Sequence, residues 1–171
     1  MTESDQIHII AAIVEHKPGV LYRVSNMFRR RGFNIESITV GPTEEDGLAR
    51  MTLTVKGDEY LVEQVVKQLR KLIDVVKVSR LLSGETVVRE MALIKIRTVD
   101  AKARTDVVNY VEIFRGRIVD VAHESMTAEI TGTPDKIDAF IELMRPFGIL
   151  EDARTGITAL SRGLKSVKVE A

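Results

Sequence analysis

Apolar residues along this chain fall either into short continuous runs or into one-sided stripes, and the alternation between the two predicts its elements. "IHIIAAIV" (7–14) is an apolar run of strand length, which predicts a buried strand. After Pro18-Gly19, the residues Val20, Leu21, Val24, Met27 and Phe28 recur at helical spacing and form one apolar stripe. Gly32 suits the position just past that helix, where a left-handed backbone costs least without a Cβ. "NIESITV" (34–40) predicts a second strand, and Asp46-Gly47 a hairpin turn. "ARMTLTV" (49–55) alternates, with Ala49, Met51, Leu53 and Val55 facing the core and Arg50, Thr52 and Thr54 facing out. Asp58 is placed to cap a second helix, Lys67, Arg70 and Lys71 complement the dipole at its end, and "VVKVSRL" (75–81) closes the unit.

The chain then repeats the programme. Met51, Thr52 and Gly57 fall on Met126, Thr127 and Gly132, and the helical Val62, Val65, Val66 and Leu69 fall on Ile137, Phe140, Ile141 and Met144. Phe28 before "RRRGFNI" answers Phe114 before "RGRIVDV", and the second copy is shorter where the first carries "GPTEEDG". Such pairing marks two copies of one supersecondary unit. In the second copy, "REMALIKIRT" reads as a strand, 103–114 as a helix, and "RIVDVAHES" with "MTAEITG" as paired strands. Thr133-Pro134 opens the last helix, and "ILEDARTGITALS" ends the sheet. The expected organisation is a first domain at 1–82, a linker at 83–86 around Ser83-Gly84-Glu85, a second domain at 87–163 and a tail at 164–171. Each domain reads βαββαβ, an α+β arrangement with an antiparallel sheet and both helices on one face.

Composition narrows the function. The 25 basic and 25 acidic residues cancel, so no overall field recruits nucleic acid or an anionic membrane. The absence of cysteine removes disulfides, thiolate metal sites and thiol nucleophiles. The start "MTESDQIHII" lacks a signal-peptide pattern, which fits a cytoplasmic protein. His8, His16 and His123 have no metal-ligand spacing, and His8 and His123 are expected in the sheets. No nucleophile elbow or glycine-rich phosphate loop occurs. Arg29-Arg30-Arg31 reads as a helix C-terminus. An RNA-binding reading fails because "ARMTLTV" has no aromatics to stack bases. An enzyme is therefore not expected.

The Pro18-Gly19 turn remains. A helix start offers unpaired N–H groups and partial positive charge to a small carboxylate, Gly19 lets it approach, and Pro18 holds the turn ready. Around that turn, "VEHKPGVLYRVSNMFRRRGFNIESITV" resembles the N-terminal ACT domain of acetolactate (acetohydroxyacid) synthase small subunits. The resemblance continues through "ARMTLTVKGDE", "EQVVKQLRKLIDVVKV", "VVREMALIKI", "EIFRGRIVDV", "EITGTPDKIDAFIELM" and "ARTGITALSRG", from about Ile7 to Gly163.

The resemblance implies two consecutive ferredoxin-like domains, an ACT domain and an ACT-like one, and a regulatory subunit with no cofactor of its own. It also implies a catalytic large-subunit partner using thiamine diphosphate and Mg2+, often with FAD. That partner would be activated by this chain and feedback-inhibited by a branched-chain amino acid, usually valine. The effector is expected between two ACT domains of a homodimer. One protomer would supply His16, Gly19, Val20 and Leu21, the other Asn34 and Ile35. His16 stands where the family commonly carries Asn. "VDAKARTDV" replaces the Pro-Gly turn in the second domain, so no second effector site is expected; Phe114, Arg115 and Arg117 are candidates for contact with the catalytic subunit. The alternative is a free-standing ACT-type amino-acid sensor or interaction module acting on a different protein.

Overall fold

The computed structural model describes residues 6–167. They divide into two units, one taking in the chain up to Val87 and again from Ile157, the other running Val88–Gly156. The first unit contains β1 (Ile7–Glu15), α1 (Val20–Arg31), β2 (Ser37–Pro42), β3 (Leu48–Lys56), α2 (Glu59–Leu69) and β4 (Val75–Leu81). Its sheet runs β2-β3-β1-β4, antiparallel throughout, with Ala12 opposite Met51. Ile10, Ala12 and Val14 of β1 meet Val24 and Phe28 of α1 and Val62, Val65 and Leu69 of α2 in one core. α1 ends as expected: Gly32 is left-handed at φ 68, and the Phe33 N–H donates to the Phe28 carbonyl at 3.0 Å. Asp58 caps α2 through the Leu61 N–H at 2.8 Å.

Two expectations for this unit change. β2 begins at Ser37, not Asn34, because Phe33 and Ile35 pack against the core from the connecting segment. Thr52 and Thr54, expected to face solvent, are buried. The chain from Ile157 returns over their face of the sheet, bringing Ala159 and Val167 into burial. Polar side chains receive it: Thr39 Oγ1 donates to the Ile157 carbonyl at 3.0 Å, and Arg50 donates to the Ala159 carbonyl at 2.8 Å. The Thr54 and Ser37 hydroxyls bond each other at 2.7 Å. The expected second domain ran to Gly163; in the structure β9 (Thr158–Ser161) groups with the first unit, whose Thr39 and Arg50 bond the backbone of this segment. Residues 168–171 of the expected tail, like 1–5 of the first domain, lie outside the described residues.

The second unit contains most of β5 (Thr86–Arg97), then α3 (Ala101–Ile113), β6 (Arg117–Val121), β7 (Ser125–Gly132), α4 (Pro134–Met144) and β8 (Ile149–Arg154). Sheet order is β6-β7-β5-β8. The internal repeat is physical: Val62, Val65 and Leu69 and their counterparts Ile137, Phe140 and Met144 are all fully buried. Gly57 and Gly132 also match. A Cβ on either would crowd the side chain four residues on, Leu61 or Lys136, at the strand-to-helix turn. This is an α+β fold of two βαββαβ domains, as the sequence predicts. Among the described residues no helix is long and apolar enough to cross a membrane.

The histidines separate. His8 in β1 is buried, with Nε2 2.9 Å from the Gly57 carbonyl and Nδ1 3.1 Å from Arg80. Arginine only donates, so Nδ1 accepts and Nε2 carries the proton. His123, expected in a strand, lies in the turn between β6 and β7, where its carbonyl accepts from Arg104.

Arg154 joins β8 to β5 by a two-pronged contact with Glu90, Nε to Oε1 at 2.8 Å and an Nη to Oε2 at 2.7 Å, and reaches Asp138 of α4 at 2.6 Å. Glu90 is only 6% exposed. Arg154→Met leaves that carboxylate buried without its cation and is expected to cost about 3 kcal/mol in urea unfolding, whereas Glu90→Met with Arg154→Met restores most of it.

Candidate functional site

α1 starts differently from the other helices. Gly19, immediately before it, is left-handed at φ 90, and the first intrahelical bond runs from the Arg23 N–H to the Gly19 carbonyl at 3.0 Å. The N–H groups of Val20, Leu21 and Tyr22 therefore have no intrahelical acceptor, no side chain caps them, and the first turn holds no acid. α2 and α3 are capped by their own aspartates, Asp58 and Asp100. α4 has no side-chain cap, but Pro134 removes one donor and Asp135 brings a negative charge into its first turn. Among the four helices, α1 alone combines free amides with no internal anion, so its partial positive charge faces outward. The Asp100 cap supplies the contrast in the second unit: the counterpart helix start is occupied by its own chain.

The loop ahead of α1 is pinned from both sides. The Glu15 N–H donates to the Asp74 carbonyl at 2.9 Å, and the His16 N–H to the Gly47 carbonyl at 2.7 Å. Beneath it lies the Asp74 carboxylate, 1% exposed, hydrogen-bonded by Arg23 and 2.9 Å from Lys17 Nζ. Lys17 also pairs with Glu15. Hydrogen bonds from Lys17 and then Arg23 hold the Asp74 carboxyl below the usual carboxylate range. Glu15 and then Asp74 hold the Lys17 ammonium above its ordinary value. Sequence reasoning missed this network, because Asp74 is remote in sequence from Lys17 and Arg23. The available signal was a single acid inside the otherwise apolar "LIDVV".

The expected site residues do not all meet within one chain. His16 and Gly19 are exposed, and Leu21 is 51% exposed on the first turn. Val20 is buried in the core, so it offers its amide and not its side chain. Asn34 lies past the far end of α1, exposed, with its amide donating to Glu36 at 2.7 Å, and Ile35 packs half-buried on the core. α1 has 12 residues. That length puts its two ends about 18 Å apart. Asn34 and Gly19 of one chain thus stand at opposite ends of the same helix.

In the second unit, Phe114 is half-buried and edge-on to Phe140 at 5.3 Å, a packing position. Arg115 and Arg117 are exposed. Arg115 is the one non-glycine residue with positive φ among those described, at 52°. It occupies the left-handed position closing α3, where the Gly116 N–H donates to the Val111 carbonyl at 2.8 Å. The glycine beside it cannot move to that place: a Cβ on Gly116 would lie 2.2 Å from Ile130 Cδ1. Elsewhere, a cavity of about 340 Å³ lies between Ile13, Leu48 and Arg50 of the first sheet and Leu160 and Val167 of the returning segment. Burial there lowers the Arg50 pKa, and none of the expected site residues lines it.

Comparison with known proteins covers nearly the whole chain. The family described as "AHAS small subunit-like ACT domain" matches residues 10–77, and "Small subunit of acetolactate synthase" matches 89–163. The chain is 55% identical to the probable acetolactate synthase small subunit of Methanothermobacter thermautotrophicus, over 94% of this chain and 95% of that one. It is 44% identical to the acetolactate synthase small subunit of Mycolicibacterium smegmatis, over 98% of each. The crystal structure of the acetolactate synthase small subunit from Thermotoga maritima superposes with a TM-score of 0.86 at 47% identity, covering 92% of this chain and 98% of that one.

Two outcomes are expected. The stability that Asp74 contributes is complete above the unfolded carboxyl value of about 3.9 and is lost as pH falls through its depressed folded value. Asp74→Asn removes that component, so urea midpoints should decline more for the parent chain than for the variant between about pH 4 and pH 2. Arg115→Gly relieves a left-handed residue and should raise stability by about 1 kcal/mol, read from the same denaturation curves.

Proposed function

The chain belongs to the family of acetolactate synthase small subunits and is a regulatory subunit with no catalytic centre of its own, and from this we propose that it both activates the catalytic subunit and makes it sensitive to a branched-chain amino acid, valine foremost. The observation that carries the effector reading is the uncapped start of α1 over Gly19. The Val20 and Leu21 amides donate to the effector carboxylate, and Leu21 with Ile35 of a second protomer flanks the branched side chain. The second protomer's Asn34 completes the polar contacts, because Asn34 of the same chain is a helix length away. His16, exposed at the loop, adds a ring nitrogen to this rim.

An effector held between two chains binds their paired state more tightly than any other arrangement, which is the condition for coupling to a distant partner. In this reading the first units pair as a homodimer. The catalytic large subunit contacts the second unit around Arg115 and Arg117, with Phe114 buttressing them from the core. The large subunit, not this chain, carries thiamine diphosphate with Mg2+, often alongside FAD. The setting is cytoplasmic.

Calorimetric titration of the full chain with valine, leucine and isoleucine tests the effector site, and assay of the reconstituted complex tests the regulation. At least one of the three amino acids should bind and lower the activity of the complex. Gly19→Asp, which places an acid and a strained Cβ at the helix start, should abolish binding while activation of the catalytic subunit persists. Asn34→Ala should weaken binding at least tenfold, or about 1.4 kcal/mol. No heat with any of the three rules out the effector site, and a catalytic subunit indifferent to the chain rules out the regulatory role.

A further inference from the structure

Two half-exposed cations stand beside the free amides of α1, and each is already paired with a carboxylate. Lys17 Nζ lies 2.9 Å from Asp74 Oδ1 and also pairs with Glu15. Arg23 donates one guanidinium nitrogen to Asp74 Oδ2. Its other terminal nitrogen lies 3.9 Å from the position a Cβ on Gly19 would take, beside the approach to the Val20 and Leu21 N–H groups. Without Asp74, an incoming carboxylate would meet a free guanidinium first and the backbone second.

Asp74 removes that option. Its carboxylate is 1% exposed and engages both cations, which are themselves about half exposed. Glu15 and Asp74 together balance Lys17 and Arg23, which leaves the loop electrically neutral. With the formal charges balanced, the oriented amides and the helix dipole are the main attraction for an anion, and their partial charge suits one carboxylate. A ligand that also carries an ammonium is neutral overall and enters this site without an excess charge to desolvate. A ligand of the same shape with no ammonium brings a net negative charge to a locally neutral site whose two cations are already paired with carboxylates.

We propose that Asp74 is a specificity-determining residue of the effector site: by occupying Lys17 and Arg23 it makes the site select a zwitterionic amino acid over the corresponding 2-oxo acid. This rests on the effector-site reading above. The two ligand classes share the branched chain and the carboxylate and differ in the ammonium, so shape cannot separate them and charge must.

The test titrates the full chain and its Asp74→Asn, Asp74→Glu and Arg23→Gln variants with valine and with 3-methyl-2-oxobutanoate. Urea unfolding of each protein serves as the control for folding. The parent chain is expected to prefer valine at least tenfold. Asp74→Asn, which adds one net positive charge, should reduce that preference about tenfold by strengthening oxo-acid binding, more so at low salt. Asp74→Glu should keep the preference. Arg23→Gln, which keeps the carboxylate and removes a cation, should widen it, and this arm stands even where Asp74→Asn fails to fold. A merely structural Asp74 would change stability and leave the ratio alone, so an unchanged ratio in the variants that fold overturns the inference while valine binding by the parent chain upholds the effector site. A parent chain that binds neither ligand overturns both.

Discussion

β1 is hydrogen-bonded along both edges, to β3 on one side and β4 on the other, and this double pairing constrains everything near the loop that opens α1. A strand held on both sides can release its chain only at its end. The chain therefore leaves at Glu15, between the Gly47 hairpin and the segment entering β4, and both neighbours accept a backbone N–H from it. The turn into α1 is thereby fixed against the sheet before any side chain contributes. Asp74, immediately before β4, adds its carboxylate beneath a loop whose place its own carbonyl already helps to set. The amides that open α1 are presented by one of the two central strands of the unit, through only a few residues of turn.

The two domains share a framework and differ in one local detail with large chemical effect. Matching core residues, matching glycines and matching sheet order give the two helices that follow β1 and β5 the same relation to their sheets. At the first, a glycine leaves the donors open. At the second, Asp100 accepts the Ala103 N–H at 2.7 Å and closes them. Of these two counterpart helices, only α1 thus opens with uncapped amides. The other copy invests its unusual backbone elsewhere, in a left-handed Arg115 at the end of α3. Glycine would hold that position at lower conformational cost, and the exposed guanidinium is what the chain retains in exchange.

What the sequence revealed and what it hid divide by range. The helical stripe from Val20 to Phe28, the cap at Asp58, the left-handed Gly32 and the repeat of Val62, Val65 and Leu69 as Ile137, Phe140 and Met144 depend on neighbours a few residues away, and spacing exposes them. Burial of Thr52 and Thr54 depends on a segment that returns from Ile157, and alternation along one strand carries no trace of a cover so far off. The same holds for Asp74, whose partners Lys17 and Arg23 lie on the other side of two strands and a helix. His123 was misplaced for a local reason: the turn at 122–124 has neither glycine nor proline to mark it. The amides of the candidate site were legible from Pro18-Gly19, while the charge environment around them was not.

The returning segment also sets an order of events during synthesis. The helix-facing core of the first unit can assemble once Leu81 has been made, but the opposite face of its sheet waits for residues 157–167. At roughly 5–20 residues per second on the ribosome, the interval is a matter of seconds. Throughout that interval Ile13 lacks its neighbours Leu160 and Val167, beside Thr39 and Arg50, whose partners have yet to arrive. The hydroxyls and the guanidinium on that face then have a use beyond their final bonds: they keep a nascent, half-finished sheet hydrated until its own C-terminal stretch arrives to cover it.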